Sequence, residues 1–306
     1  MSLKEVLSKA RQEFSELNPP ATADELRALE DNFGTLPEDV LTLYRDHNGS
    51  NFVATIQTRK FVARLMPTDE VIKTGVALQR FSDRVPFVEQ VVWMWTDDNA
   101  NYCGAYTKGP LTNWLTIFDH EQQMLTPAFR SVESFIDRLS DEAQKPQTDS
   151  RACDIPSIER EIPELYPSEI RTVEDETLSM WFREEYQRTT EIRKRRLCAY
   201  CSICLTPFGK TEDVTWFFRD TDMWIPEAAV RLLEVRNWKG AVEQLENLAR
   251  DGHPNGDSAA IRALARMDTD ESRLAINRLR SALIGPKLNV FEMWTSGRIQ
   301  AQHVRW

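Results

Sequence analysis

A polar stretch near the middle of the chain separates two parts with different hydrophobic patterns. Asp141 to Pro156 contains two prolines and no hydrophobic period, a composition that favours a linker over packed structure. The chain has 306 residues, more than most single hydrophobic cores contain. We therefore predict a first domain over residues 1–142, a linker over 143–157 and a second domain over 158–306.

The composition indicates a globular protein of the cytoplasm. Nine tryptophans and 14 phenylalanines supply material for hydrophobic cores. No apolar run approaches the roughly 20 residues that cross a bilayer, and the charged segment Met1–Glu16 lacks the apolar stretch of a signal peptide. We expect a cytoplasmic protein that does not contact membranes. The five cysteines do not predict a disulfide framework, because their number is odd and the expected compartment is reducing.

The charge of the chain is acidic and uneven. The net charge is −10, and residues 1–145 carry 22 acidic against 15 basic side chains, while residues 146–306 carry 26 against 23. This balance argues against nucleic-acid binding, which depends on clustered Lys and Arg. An acidic domain attracts a basic protein partner over long distances, although solubility alone also accounts for acidic surfaces.

Helix signals open the first domain. Met1–Leu17 has helical spacing of its apolar residues. Thr22 and Glu25 form a capping box that predicts the start of a second helix, and Gly34 is placed to end it. Pro37 opens a third helix at its first turn. The side chains of this third helix expected to face the core are Val40, Leu41 and Tyr44.

Strand signals follow. Several runs are rich in β-branched and aromatic residues and are separated by turn residues. The predicted strands are Phe52–Gln57, Phe61–Leu65, Phe87–Thr96, Tyr102–Tyr106 and Leu115–Phe118. Val132–Leu139 has helical spacing and is predicted to close the domain.

The second domain is mostly helical in pattern. Glu174–Leu205 is a long amphipathic stretch, and Val290–Trp306 is predicted to form a hairpin around a Ser-Gly turn. Helices near 12 residues long with short connectors indicate stacked helical hairpins, and the Ala-rich block Ala259–Met267 resembles HEAT-like repeats. The shorter predicted helices are Pro226–Val235, Lys239–Arg250, Ser258–Met267 and Glu271–Ile284.

The segment Glu25–Asn51 carries a recognisable order of motifs. A helix with Leu29-Glu30 is followed by the run Gly34-x-Leu36-Pro37-Glu38-Asp39, a second helix and Asn48-Gly49. This order resembles the N-terminal signature of the SUKH superfamily, also described as the Smi/Knr family. Leu115–Leu139, in which a strand and a polar loop lead to a helix, is similar to the end of such domains. The resemblance covers about residues 1–140.

The resemblance implies a fold and a role. It implies an α+β domain with a twisted antiparallel sheet flanked by helices, so the predicted fold class is this domain followed by a mostly α-helical, HEAT-like domain. It also implies protein binding rather than catalysis: bacterial members are commonly immunity proteins that neutralise toxins, often nucleases, and eukaryotic members act as scaffolds. The motif residues are expected to build the fold, with Leu29 and Leu36 in the core and Gly49 in a turn.

One loop and its flanking strands form the candidate partner-binding site. Loops on a rigid sheet often carry binding residues, and tryptophan is enriched at interface hot spots. The ordinary alternatives are a solvated hairpin turn for the loop and core packing for the tryptophans, of which Trp93 and Trp95, at alternate strand positions, are expected to share one face. The candidate residues are Asp97, Asp98, Asn99 and Asn101 with Trp93, Trp95 and Trp114.

A cysteine triplet is the strongest chemical motif. Cys198, Cys201 and Cys204 could hold zinc or an iron–sulfur cluster with a fourth ligand such as Cys153. The surrounding sequence, however, has the composition of a buried helix, in which cysteine acts as a small apolar residue. We therefore expect no metal and no other cofactor.

Two further polar clusters have ordinary explanations. Asp119-His120-Glu121 places a histidine beside two acids, but no nucleophile motif accompanies it, so a turn is favoured. The basic run Arg193–Arg196 is expected to pair with Glu184, Glu185 and Glu191 along one helix.

The sequence thus predicts a non-catalytic protein-binding protein. The leading hypothesis is an immunity-type protein that binds and neutralises a basic toxin domain. The alternative is an intracellular scaffold or adaptor that uses its helical half. A cysteine-ligated metal protein is the third hypothesis.

Overall fold

The structure is a computed structural model, and it describes residues 17–50, 53–56, 59–62, 64–97, 99–120, 123–136, 169–236 and 238–295. The chain divides into two compact units, Met1–Ile162 and Pro163–Trp306. The first is α+β and the second is mostly helical, which confirms the predicted fold class. The predicted linker over 143–157, and all of the predicted helix Met1–Leu17 except its last residue, lie outside the described residues.

The capping signals of the first unit act as predicted. Thr22 Oγ1 accepts a hydrogen bond from the Glu25 amide at 3.3 Å, and the Thr22 amide donates to Glu25 Oε2 at 2.7 Å. Gly34 ends this helix with a φ of +80°. Leu29 and Leu36 are buried, as expected of core residues. The named helices of this unit are α1 (Ala23–Phe33), α2 (Glu38–Asp46) and α3 (Thr68–Gln79), and residues 132–136 are also helical.

A five-stranded antiparallel sheet forms the centre of the first unit, in the order β3-β4-β5-β6-β7, and β1 and β2 form a separate two-stranded hairpin. The predicted strand Phe87–Thr96 is shorter than expected, because Phe87 has a φ of +70° and Val88–Gln90 forms a 3-10 turn. The predicted strand Phe61–Leu65 is divided between two strands. The strands are β1 (Val53–Ile56), β2 (Arg59–Val62), β3 (Arg64–Leu65), β4 (Val91–Thr96), β5 (Tyr102–Tyr106), β6 (Leu115–Phe118) and β7 (Pro127–Phe129).

A β-bulge in β4 reverses the expected alternation of side chains. Trp93 pairs with Gly104, but Trp95 pairs with Cys103, so Met94 is an extra residue between them. Residues paired across a ladder point to the same face, and neighbours along a strand point to opposite faces. The prediction that Trp93 and Trp95 share one face is therefore wrong, because the extra residue places them on opposite faces of the sheet.

Each tryptophan consequently packs with a different aromatic cluster. The Trp93 ring lies 5.9 Å from Phe118 and 6.5 Å from Tyr102, while the Trp95 ring lies 4.7 Å from Phe135. Both indoles are fully buried. Both faces of β4 thus contribute to the core of the first unit.

The Asn48-Gly49 pair joins three segments of the first unit. Asn48 Nδ2 donates to Glu25 Oε1 at 3.0 Å, and Asn48 Oδ1 accepts from the Thr68 amide, at the start of α3, at 2.8 Å. Gly49 has a φ of +92°, and a Cβ there would lie 2.7 Å from the backbone nitrogen of Pro67. These contacts agree with the expectation that the signature residues build the fold.

The second unit is a series of packed helices. The predicted stretch Glu174–Leu205 forms two helices rather than one. The first helix ends at Arg188, and Glu191 caps the start of the second. The predicted tail hairpin is wrong over residues 290–295, which are helical, and residues 296–306 lie outside the described part. The elements are α4 (Glu169–Arg188), α5 (Ile192–Leu205), a 3-10 segment (Phe208–Arg219), α6 (Trp224–Val235), α7 (Val242–Asp251), α8 (Pro254–Met267), α9 (Asp270–Ala282) and α10 (Pro286–Thr295).

Helices of the second unit pack in a stacked-hairpin order. Among α6–α10, α8 contacts both of its chain neighbours, and α6 contacts α8, α7 contacts α9, and α8 contacts α10. Ion pairs join alternate helices: Arg262 to Glu234 at 2.8 Å and Arg278 to Glu246 at 2.5 Å. This order is typical of solenoid-like helical arrays.

Candidate functional site

The predicted partner-binding loop is built around a buried carboxylate. Asp97 Oδ1 accepts from the amides of Asn99 at 2.8 Å and Asn101 at 3.1 Å, and Asp97 Oδ2 accepts from Asn101 Nδ2 at 2.6 Å. Asp97 and Asn101 are each 4% exposed, whereas Asn99 is exposed. Asp98 lies outside the described residues. Asp97 therefore closes the loop from within and offers almost no surface to a partner.

The network extends from the loop to His120. Asn101 Oδ1 accepts from the His120 amide at 3.2 Å and lies 2.9 Å from His120 Nδ1. Because the Asn101 amide nitrogen already donates to Asp97, its oxygen is an acceptor, so His120 Nδ1 carries a proton in this arrangement. His120 is exposed and lies in a turn. A turn is the structure that the sequence favours for the Asp119-His120-Glu121 triplet. Glu121 itself lies outside the described residues.

The three candidate tryptophans are core residues by their burial. Trp93 and Trp95 are fully buried and Trp114 is 8% exposed. The guanidinium of Arg130 stacks 4.7 Å from the Trp114 ring centre. This burial agrees with core packing, the alternative to partner binding for these side chains. The loop and the tryptophans therefore do not form one open surface.

The cysteine triplet lies along α5. Cys198 and Cys201 are fully buried and Cys204 is half-buried. Burial raises the pKa of the Cys198 thiol to about 12 and that of the Cys201 thiol well above its usual range. In the described part of the chain, no group of three or more His, Cys, Asp or Glu side chains is arranged to hold a metal ion. Cys153 lies outside that part.

We expect the thiols of Cys198 and Cys201 to be unreactive towards Ellman's reagent in the folded protein at neutral pH, because the reagent needs a thiolate. The thiol of an unfolded chain ionises near pH 9, and that of folded Cys198 near 12, so the free energy of unfolding should fall as the pH rises between these values. Thiol counts with and without guanidinium chloride test the first point. Native labelling that disappears in a Cys198→Ala/Cys201→Ala variant would contradict it.

Side chains of the basic run Arg193–Arg196 form ion pairs with carboxylates outside α5, including Lys194 with Glu185 of α4 at 3.7 Å. Arg195 and Arg196 bind the carboxylates of Asp220 and Asp222 at 2.6 and 2.8 Å, partners that helical spacing does not predict. Within the sequence neighbourhood, Glu191 accepts from two backbone amides at the start of α5. The expectation of pairing along one helix is therefore incomplete.

A cleft of about 1040 Å³ opens within the second unit. Its lining residues come from four elements: α4, α5, the 3-10 segment with the residues after it, and α7 with its C-terminal turn. The basic, aromatic and histidine side chains that line it are Arg183, Tyr186, Arg195, Trp216, Phe218, Arg219 and His253. The acidic ones are Glu212, Asp213, Asp220 and Asp251.

A partly buried ion pair stiffens one part of the cleft. Arg195 donates to both carboxylate oxygens of Asp220, at 3.1 and 2.6 Å, and its guanidinium lies 4.4 Å from the centre of the Tyr186 ring. The Tyr186 hydroxyl donates to the same carboxylate. Burial, and then the bond to Asp220, raises the pKa of Tyr186. The bidentate geometry fixes these three side chains relative to one another.

Arg183 differs from Arg195 although both line the cleft. Its guanidinium lies 5.7 Å from the ring centre of Trp216 and 5.8 Å from that of Phe217. Its Nε is buried, and the described residues provide no hydrogen-bond partner for it. Trp216 itself is 43% exposed. Arginine, tyrosine and tryptophan in a concave site are the residue types that dominate protein-interface energetics.

The cleft was not visible in the sequence. Its residues are separated by up to 70 positions, from Arg183 to His253, and no motif links them. The one available signal is Trp216, which follows the mostly polar run TEDVT.

Comparisons with known proteins add no relative: no family model matches the chain, and a search of curated proteins finds no match. Within the described residues, the longest helices are too short or too polar to traverse a lipid bilayer.

Proposed function

We propose that this protein is a non-catalytic, immunity-type protein that neutralises a toxin by binding it through the cleft of the helical unit. The observation that carries the proposal is the cleft itself, which combines an exposed tryptophan with fixed arginine and tyrosine side chains. These residue types supply binding energy when a partner covers them. The resemblance of residues 1–140 to SUKH domains supports the immunity role.

Burial of the candidate residues in the first unit supports a binding site in the helical unit instead. Asp97, Asn101, Trp93 and Trp95 are buried and joined to the fold, whereas Trp216 is exposed at the cleft. The net charge of −10 favours a basic partner, such as a nuclease domain. Long-range attraction would raise the association rate, and the cleft would supply the close contacts.

The test begins with capture of partners by the whole chain, followed by purification of the captured protein and an assay of its own activity. A one-to-one complex that abolishes a toxic activity of the partner, such as nuclease cleavage, supports the proposal. Trp216→Ala should weaken that complex by about tenfold or more. Trp224→Ala is the matched control, because Trp224 is similarly exposed at 37% but does not line the cleft. A partner that stays fully active in the complex contradicts neutralisation.

The same cleft also favours the adaptor hypothesis, since a helical array presents concave surfaces suited to protein segments. The two functions differ in the fate of the partner. A bound cellular regulator that keeps its activity, with affinity lost in Trp216→Ala, supports the adaptor.

A further inference from the structure

We propose that Arg183 anchors the partner by binding one of its side-chain carboxylates, from Asp or Glu, inside the cleft. This inference rests on the proposed protein-binding function and names the chemistry that the cleft recognises. It starts from an unsatisfied donor. Buried nitrogen donors in proteins are almost always hydrogen-bonded, so a buried donor without a partner calls for an explanation. Arg183 Nε is such a donor among the described residues.

The neighbouring arginine shows what Arg183 lacks. Arg195 lines the same cleft and donates hydrogen bonds to both carboxylate oxygens of Asp220, a residue of its own chain. Arg183 forms no ion pair within 4 Å in the described part, although Glu212 and Asp213 line the same cleft. Its guanidinium therefore has donors placed at the cleft and no carboxylate of its own.

The aromatic surroundings prepare this guanidinium for a carboxylate. Trp216 and Phe217 lie against it at 5.7 and 5.8 Å, and Phe217 is 1% exposed. Stacking restricts the side chain, so less conformational entropy is lost when a ligand binds. The guanidinium fork matches the two oxygens of a carboxylate, and the apolar rings strengthen the interaction by excluding water.

An acid-binding anchor is compatible with a basic partner. The overall charges act before contact and set the rate of encounter, whereas one buried pair selects the register in which the surfaces dock. A basic domain that presents a single Asp or Glu at the centre of its interface satisfies both requirements.

The experiment titrates the whole chain, labelled with ¹⁵N, with N-acetyl-glutamate α-amide and follows the arginine Nε–Hε signals by NMR. The Arg183 signal is assigned by its loss in Arg183→Lys. We expect this signal to shift and to saturate, because Nε, which is itself buried, belongs to the same guanidinium as the two terminal nitrogens that would hold the carboxylate. N-acetyl-glutamine α-amide has the same shape without the charge, and it should bind at least about tenfold more weakly.

Variants and a second anion separate the outcomes. Arg183→Lys keeps the charge but loses the fork, and it should weaken N-acetyl-glutamate α-amide binding by about tenfold. Arg188→Lys, at an exposed arginine outside the cleft, should bind like the unaltered chain, and thermal unfolding of both variants checks their fold. No shift of the Arg183 signal, equal binding of the glutamine probe, or tighter binding of inorganic phosphate would overturn the carboxylate assignment.

The last experiment measures how Arg183→Lys and Trp216→Ala bind the identified protein partner. If Arg183→Lys binds that partner like the unaltered chain while Trp216→Ala does not, the proposed function stands and the anchoring role of Arg183 fails. If neither variant matters, the cleft is not the interface.

Discussion

Replacing Arg236 with methionine is expected to lower the free energy of unfolding of the second unit by about 3 kcal/mol, because three buried acceptors lose a charged donor. Arg236 lies at the end of α6 and is 6% exposed. Its Nη1 donates to the carbonyl oxygen of Pro207 at 3.1 Å and to Thr211 Oγ1 at 2.7 Å, and its Nη2 donates to the carbonyl oxygen of Thr206. One guanidinium thus satisfies three acceptors, two in the link between α5 and the 3-10 segment and one, Thr211, within the 3-10 segment.

Methionine is the informative replacement because it approximates the volume of arginine but donates no hydrogen bond. The loss therefore reports the missing hydrogen bonds rather than a cavity: all three acceptors lose the Arg236 donor, although the Pro207 carbonyl keeps the Lys210 amide. It also removes the stacking of the guanidinium on Phe208, whose ring centre lies 5.5 Å away. Since the freed segment leads into the wall that carries Trp216, binding at the cleft should weaken as well.

Denaturant unfolding followed by far-ultraviolet circular dichroism measures this effect. Arg193→Met is the control, because Arg193 is exposed and helical, and its replacement should change stability by less than about 0.5 kcal/mol. Equal losses in the two variants would mean that the hydrogen bonds of Arg236 contribute little.

Local signals in the sequence were sufficient where neighbours along the chain decide the structure. Thr22 and Glu25 start α1 as the capping box requires, and Tyr102–Tyr106 and Leu115–Phe118 are strands with the predicted bounds. In these places, the residues that determine the conformation lie within a few positions of one another.

Contacts between residues distant in sequence determine the features that were not predicted. The helix Thr68–Gln79 was not predicted, and it contains Gly75, which weakens a helix. The structure explains this glycine: a Cβ there would lie 2.5 Å from Cζ of Phe33 on α1. The bulge at Met94 likewise has no sequence signal, since VVWMWT is an almost continuous apolar run, as in a strand buried on both faces. It shows only when β4 is paired with β5.

The candidate site in the structure differs from the predicted one because it, too, depends on contacts that the sequence does not show. Asp97 was expected to be a surface charge, because the sequence offers no partner for it, yet its partners are two amides within four residues and the side chain of Asn101. Loop polarity alone does not distinguish a carboxylate that faces solvent from one that is turned inward. The cleft depends on residues as distant as Arg183 and Leu248, so its existence depends on helix packing.

Replacing Asp97 with alanine should therefore destabilise the first unit by about 3 kcal/mol, because a charged acceptor of three hydrogen bonds is lost. Fluorescence of the buried Trp93 and Trp95 during urea unfolding can follow the loss. Asn99→Ala is the control: the Asn99 side chain is exposed, and its backbone amide, which binds Asp97, remains.

Asp97→Asn should also destabilise, by about 2 kcal/mol, although it changes only one atom. The new amide can still accept from the two backbone amides through its oxygen, but its nitrogen would then face Asn101 Nδ2, which is also a donor. Asn101 cannot resolve the conflict by turning over, because its oxygen already accepts from His120. A His120→Ala substitution removes only the ring donor, and the His120 backbone amide still requires that oxygen. If Asp97→Asn is as stable as the unaltered chain, Asn101 is free to turn and the network does not fix the loop.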